Sequence, residues 1–231
     1  MALPPGIAGH LNLDGPPVAP RPAATVLVVR SRDPWELLMV HRPGGADFAP
    51  GAYVFPGGAV HEEDHAWSDE IQAAALRETF EETGVLLARR DGRFAQTNDC
   101  DEVRSRISGD STFTDALRSL SLEPAFDQLI MFARWITPAQ LRRRFDTRFY
   151  VARMPSDQDV RPQEGEVTDW LWISARRALD KSEITLVYAT RAILESVVDA
   201  RDIIAWAQSL RDIPIVEPRI VRTAAGWAIE R

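Results

Sequence analysis

The sequence predicts a mixed α/β domain, and three observations carry that expectation. Short apolar runs bounded by turn residues recur in the first half of the chain, an alanine-rich helical segment follows the third of them, and apolar residues return at helical spacing near the C-terminus. No internal repeat is visible, so one domain with extensions is expected rather than an array. A chain of 231 residues is long enough to bury a sizeable core yet short of the length at which cores divide.

Residues 1–22 hold six prolines and three glycines, which predicts an extended, flexible arm ahead of a domain over 23–231. "AATVLVVR" and "WELLMVHR" read as strands separated by the turn-like "SRDP", and "AYVF" reads as a third strand stopped at Pro56-Gly57-Gly58. The helix that follows starts from Ser68 or Asp69 as N-cap and ends near Gly84. Residues 89–126 read as an insertion, polar and poorly periodic to about Thr112, then a short helix at "FTDALRSL". "DQLIMFARWI", "RFYVARM" and "VTDWLWI" read as further strands, and "LVYATRAILESVVDARDIIAWAQSL" as C-terminal helix.

Hydrophobic residues make up 45% of the chain and charged residues 26%, an ordinary globular composition. A net charge of −7 argues against broad binding to nucleic acid or anionic membrane, although a local basic pocket is allowed. One cysteine, Cys100, excludes an intrachain disulfide and a Cys-rich zinc site. No apolar run reaches membrane-spanning length and the N-terminus has no signal-peptide pattern, so a cytoplasmic protein is expected.

The chemistry concentrates in "RETFEETGV", Arg77 to Val85. At 100° per residue Glu78, Glu81 and Glu82 fall within an arc of roughly 100°, while Leu76 and Phe80 face the opposite side. Like charges at these spacings destabilise a helix by roughly 0.2–0.5 kcal/mol per pair unless neutralised. A divalent cation would do that, and three carboxylates suit Mg²⁺ or Mn²⁺ better than imidazole or thiolate would. The Pro-Gly-Gly turn ahead of the helix allows a bare backbone carbonyl, such as that of Gly57, to approach the same ion. His61 and His65, in the intervening loop, read as solvated side chains.

The stretch resembles the Nudix box, Gly-x5-Glu-x7-Arg-Glu-U-x-Glu-Glu-x-Gly-U with U aliphatic. The resemblance implies a Nudix-type α/β/α sandwich with a mixed sheet, hydrolysing nucleoside diphosphates linked to another group. It makes Glu78, Glu81 and Glu82 metal-binding glutamates, gives Gly57 a carbonyl ligand role, and makes Arg77 the residue that holds a glutamate in place. Two departures stand out: Thr79 takes an aliphatic position, and twelve residues rather than seven separate Asp64 from Arg77. Counting from Gly58 reaches Asp64 and counting from Gly57 reaches Glu63, so the box's first carboxylate is one of these two.

The lead-in "FAPGAYVFPGG", the long insertion within the box and "RWITPAQLRRRFDTRFYVARMP" are similar to the Nudix branch of coenzyme A and acyl-coenzyme A diphosphatases. Of that branch's short signature Gly51 and Phe55 to Gly58 fit, while Asp47 stands in place of an arginine. The expected reaction is metal-assisted attack of water on a diphosphate, with coenzyme A or an acyl-coenzyme A as first substrate choice and ADP-ribose, NADH or another nucleotide as the alternative. A non-catalytic Nudix sensor is disfavoured because no box glutamate is lost. Glu166, and after it Glu164, are candidates for the general base because they precede a late strand. Arg142, Arg143, Arg144 and Arg148 offer phosphate contacts, and Arg144 and Arg148 are taken as substrate-binding. The expected partner is a small nucleotide, with no nucleic acid and no membrane; a homodimer is compatible with the sequence. Trp135, Trp170 and Trp172 lie in strand-like runs and are assigned to packing.

Overall fold

A computed structural model describes residues 10–12, 15–45, 50–162, 167–224 and 226–230. The run "AATVLVVR" forms most of β1 (Arg21–Arg30), with Ala24, Val26 and Val28 buried on one face and Leu27 and Val29 on the other. Burial on both faces explains why the strand reads as a continuous apolar run rather than an alternation. β1 pairs antiparallel with β2 (Glu36–His41) and with the short β4 (Gly57–Ala59), and parallel with β9 (Phe145–Arg153). The sheet runs β10 (Asp169–Ile173), β2, β1, β9, β8 (Ile130–Ile136), β11 (Ile215–Val216), with β3 (Tyr53–Val54) beside β2.

Each sheet face carries its own core. On one side Ala24, Val26, Val28 and Tyr150 pack with α1 (Glu70–Thr83), α2 (Thr97–Ser108) and α3 (Phe113–Ser119). On the other Leu27, Val29, Phe132 and Val151 pack with α4 (Ala175–Asp180), α5 (Tyr188–Val197) and α6 (Ile203–Ser209). The result is an α/β/α sandwich around a mixed sheet. Among the described residues no helix is long and apolar enough to cross a membrane.

α1 begins where its N-cap predicts: the Asp69 side chain accepts from the Ile71 and Gln72 amides at 3.0 Å, and Gly84 closes the helix at φ 73°. Leu76 and Phe80 face the core at 1% and 4% exposure, each worth about 1.5–3 kcal/mol of apolar burial. Thr79 is also buried, its hydroxyl donating to the Ala75 carbonyl at 2.7 Å, which explains how a polar residue occupies an aliphatic position.

Several elements differ from expectation. Gly57 and Gly58 lie in a strand, β4, rather than in a stop signal, because β1 supplies a partner edge. The stretch read as an insertion holds β5 (Ala88–Arg90), β6 (Arg93–Phe94), α2, α3 and β7 (Glu123–Pro124), with β5 pairing both β6 and β7; α2 buries only Cys100 and Val103, too few apolar residues for its period to show. The C-terminal helical stretch is split into α5 and α6, the second restarted by Asp202, whose side chain accepts from the Ile204 and Ala205 amides. Beyond it β12 (Arg219–Thr223) and β13 (Gly226–Glu230) form a hairpin that the sequence reading did not anticipate.

The segment expected as a flexible arm is tied down in its described part. Leu11 is 6% exposed in a small cluster with Ile220 and Ile229, and bridges to Leu141. The Arg142 amide donates to the His10 carbonyl at 3.0 Å, and Arg144 Nη1 donates to the Val18 carbonyl at 2.7 Å. Deleting residues 1–20 is therefore expected to lower the thermal midpoint by about 4 °C or more, given about 2–4 °C per kcal/mol for a domain of this size. A deletion variant that melts with the intact chain in scanning calorimetry would refute this docking.

Candidate active site

The acidic face of α1 lies against β4 and the loop that joins them, and one guanidinium ties the three together. Arg77 is 1% exposed. Its Nε and Nη2 donate to the two Asp64 carboxylate oxygens at 3.1 and 3.0 Å, Nη2 also reaches the Ala59 carbonyl at 3.0 Å, and Nη1 donates to both Glu78 and Glu81 at 2.8 Å. Asp64, also 1% exposed, is therefore the carboxylate that pairs with the arginine. Glu63 instead accepts from the Thr114 amide at 3.0 Å and fastens the loop to α3. The pairing forms across the longer loop, in which Asp64 is the buried residue of a short 3₁₀ turn, Glu62–Ala66.

Glu82 is 5% exposed and accepts from the Gly57 amide at 3.0 Å, with Arg42 at 3.5 Å from its other oxygen. In β4 alternate residues share a direction, so Gly57 and Ala59 turn their free backbone groups toward α1, one donating to Glu82 and the other accepting from Arg77. Gly58 is the position that admits Glu78: a Cβ there would collide with the Glu78 carboxylate. Arg42 was not singled out in the sequence; only its place at the end of a strand facing the box could have marked it.

Among the described residues two arginines thus face four carboxylates, Asp64, Glu78, Glu81 and Glu82, a formal charge of −2 when all four are ionised. Burial alone would lower the Arg77 pKa, but hydrogen bonds to Asp64 and the charges of Glu78 and Glu81 raise it, so this arginine is permanently charged. Burial pushes the Glu81 carboxyl up to about 7; Arg77 opposes this, while Glu78 and Glu63 add to it. Among the described residues no three such groups already form a metal cage, since Glu78 and Glu81 turn to Arg77 and Glu82 to Gly57. The donor set nonetheless fits a hard divalent cation: oxygen ligands, more carboxylates than arginines among the described residues, and a glycine edge that allows close approach.

The other candidates distribute unevenly. Arg148 sits on β9 at 3.9 Å from Asp69, at the start of α1. Arg144, expected to bind substrate, is committed to the fold: 7% exposed, it donates to the Thr137 and Val18 carbonyls and to Glu217 at 2.6 Å. The chain reversal between β8 and β9 leaves carbonyls that need a donor, and a buried arginine meets several at once. Arg142 likewise donates to the Leu11 carbonyl. Glu164, Glu166 and Asp47 lie outside the described residues. The flanks of the 163–166 segment are placed, however: the Arg161 amide donates to the Thr83 carbonyl at 2.8 Å and the Thr168 amide to the His41 carbonyl at 3.0 Å. His65 pairs with Glu70 at the surface.

Removing Asp64 takes the carboxylate that meets Nε and Nη2 from a buried guanidinium, whereas removing Glu63 loses one amide contact. Asp64→Ala is expected to cost about 3 kcal/mol or more in urea unfolding, and Glu63→Ala about 1 kcal/mol. Equal losses would reject the assignment of Asp64 as partner.

A family model described as the NUDT19 Nudix domain matches residues 69–190, just over half of the chain. A Caenorhabditis elegans protein named "Putative nudix hydrolase 7" is 31% identical over 69% of this chain and 54% of its own length. A Gallus gallus protein named "Acyl-coenzyme A diphosphatase NUDT19" is 25% identical over 70% of this chain and 62% of its own. The chain thus spans little more than half the length of the curated relatives it matches. A NUDIX hydrolase from Alicyclobacillus acidocaldarius, known from its crystal structure, is 28% identical with a TM-score of 0.71, covering 83% of this chain and 97% of that one. As the matched residues contain α1, its buried arginine and all three box glutamates, the chain belongs to the Nudix hydrolase family, with a Nudix domain of the NUDT19 kind.

Proposed function

We propose that this chain hydrolyses the diphosphate linkage of a nucleoside diphosphate derivative with the help of Mg²⁺ or Mn²⁺. Coenzyme A or an acyl-coenzyme A is the substrate of choice, giving 3′,5′-ADP and the corresponding 4′-phosphopantetheine. The observation that carries the reading is the charge balance at α1: four carboxylates against two arginines, beside a glycine edge.

Glu78, Glu81 and Glu82 would hold the metal. Arg77 engages one oxygen of Glu78 and one of Glu81, so it orients both carboxylates while leaving the second oxygen of each for an ion. The Gly57 amide fixes Glu82 in the same way, and the Gly57 carbonyl would add a backbone oxygen. When bound, a divalent ion acidifies the attacking water and offsets charge on the diphosphate oxygens. A general base must stand within reach of that water; Glu166 or Glu164 suits because both flanks of their segment are pinned beside Glu82, one to Thr83 and the other to His41. Water oxygen bonds to one phosphorus, the bridging P–O bond breaks, and the departing phosphate keeps the bridging oxygen. Coenzyme A is favoured over other nucleotides by the acyl-coenzyme A diphosphatase name of NUDT19 relatives from Xenopus laevis and Gallus gallus.

The test is incubation with Mg²⁺ and a panel of coenzyme A, acyl-coenzyme A, 3′-dephospho-coenzyme A, ADP-ribose, NADH and dinucleoside polyphosphates, with products identified by mass. The coenzyme A species are expected to turn over fastest, ahead of the dephosphorylated analogue; a preference for ADP-ribose or NADH would reject the substrate. Glu78→Gln and Glu82→Gln keep shape but remove charge, and each is expected to lower turnover by about 100-fold or more with little change in unfolding midpoint. Near wild-type turnover of Glu82→Gln would remove the metal assignment.

A further inference from the structure

A cavity of about 600 Å³ opens where β1 and β9 end, against Trp170 and Trp172 of β10. Trp170 lines it and pairs with Val40, two residues before Arg42, so the alpha carbons of Trp170 and Arg42 lie roughly 8 Å apart. Arg42 in turn approaches Glu82. Across the cavity Val160 precedes Arg161, whose amide is bonded to Thr83, the residue after Glu82. Both walls are therefore anchored next to a box glutamate.

The lining states what the cavity suits. Trp172 is covered by Arg30, whose guanidinium lies 4.6 Å from the ring centroid and is itself held by Glu36. Trp170 is 37% exposed, and among the described residues no ring or guanidinium stacks on it. Its open aromatic face shares the cavity with Ser31, Ser156, Asp159 and Arg153. With Val29, Met154 and Pro155 beside the two tryptophans, the lining joins an apolar floor to a polar rim, a combination that suits a flat heterocycle bearing a sugar and phosphate. Arg153 is half exposed, 3.3 Å from the Ser31 hydroxyl and 4.0 Å from Asp202, contacts weak enough to yield to a phosphate.

We propose that this cavity is the adenine-nucleotide subsite, in which Trp170 stacks on the base and Arg153 meets the ribose phosphate. The proposal rests on the diphosphatase reading and moves phosphate recognition from the arginine run before β9 to the other end of that strand. Adenosine 3′,5′-bisphosphate titrated into the intact chain without metal should quench tryptophan fluorescence. By calorimetry Trp170→Ala should weaken its binding about ten-fold, with Trp170→Phe retaining most of the affinity. On a hydrolysed adenine nucleotide Trp170→Ala should raise KM about ten-fold and leave kcat within about three-fold, which general destabilisation of the site would not do. Arg153→Ala should remove preference for the bisphosphate over 5′-ADP. Unchanged bisphosphate affinity in Trp170→Ala, or 4′-phosphopantetheine as the ligand whose binding that variant loses, would overturn the subsite. Base binding that depends on Trp170 in a chain hydrolysing no diphosphate would support the subsite and defeat the hydrolase reading instead.

Discussion

The buried guanidinium of Arg77 is the interaction on which the site depends. A positive charge taken out of water is tolerable only with strong, well-placed partners, and Arg77 has them from three directions: the loop through Asp64, the strand through Ala59 and its own helix through Glu78 and Glu81. The same contacts restrain two glutamates that would otherwise repel each other on adjacent turns. One residue thereby joins the stability of the loop–helix unit to the geometry of its carboxylates.

Close packing places that unit on the sheet. Ala74 and Ala75 are fully buried in the core that Ala24, Val26 and Val28 of β1 share, and their small side chains let the helix settle close to the sheet. Glycines at 57 and 58 complete the approach from the other side, since any side chain at Gly58 would occupy the position of the Glu78 carboxylate. The acidic face is consequently set at the sheet surface rather than in open solvent, and burial raises Glu81 toward neutrality.

How much of this was legible in the sequence follows from how local the signal is. The N-cap, the glycine stop and the two faces of α1 depend on residues within a few positions of one another, and Asp69, Gly84, Leu76 and Phe80 stand where that local reading puts them. The α/β/α architecture was legible through the box and the apolar runs. Partners distant in sequence were not: Arg42 meets Glu82 across forty positions, Arg144 meets Val18 and Glu217, and Leu11 meets Ile220. A run of arginines reads as a phosphate site until the carbonyls it serves are seen. Trp170 reads as one more strand tryptophan until its neighbour Trp172 is found covered and Trp170 is not. Weakly periodic α2 shows the same limit within secondary structure, its two buried residues leaving no apolar stripe.

Central to the proposed function is that Arg77 holds the α1 carboxylates where a divalent cation would bind. Its most direct test is Mn²⁺ titration followed by electron paramagnetic resonance, on the wild-type chain and on Arg77→Lys verified by circular dichroism to keep its secondary structure. Lysine keeps the charge but cannot bridge loop, strand and helix at once. Saturable Mn²⁺ binding by the wild type, weakened about ten-fold or more in Arg77→Lys, is the predicted result; equal binding by the two, or none by the wild type, would contradict it.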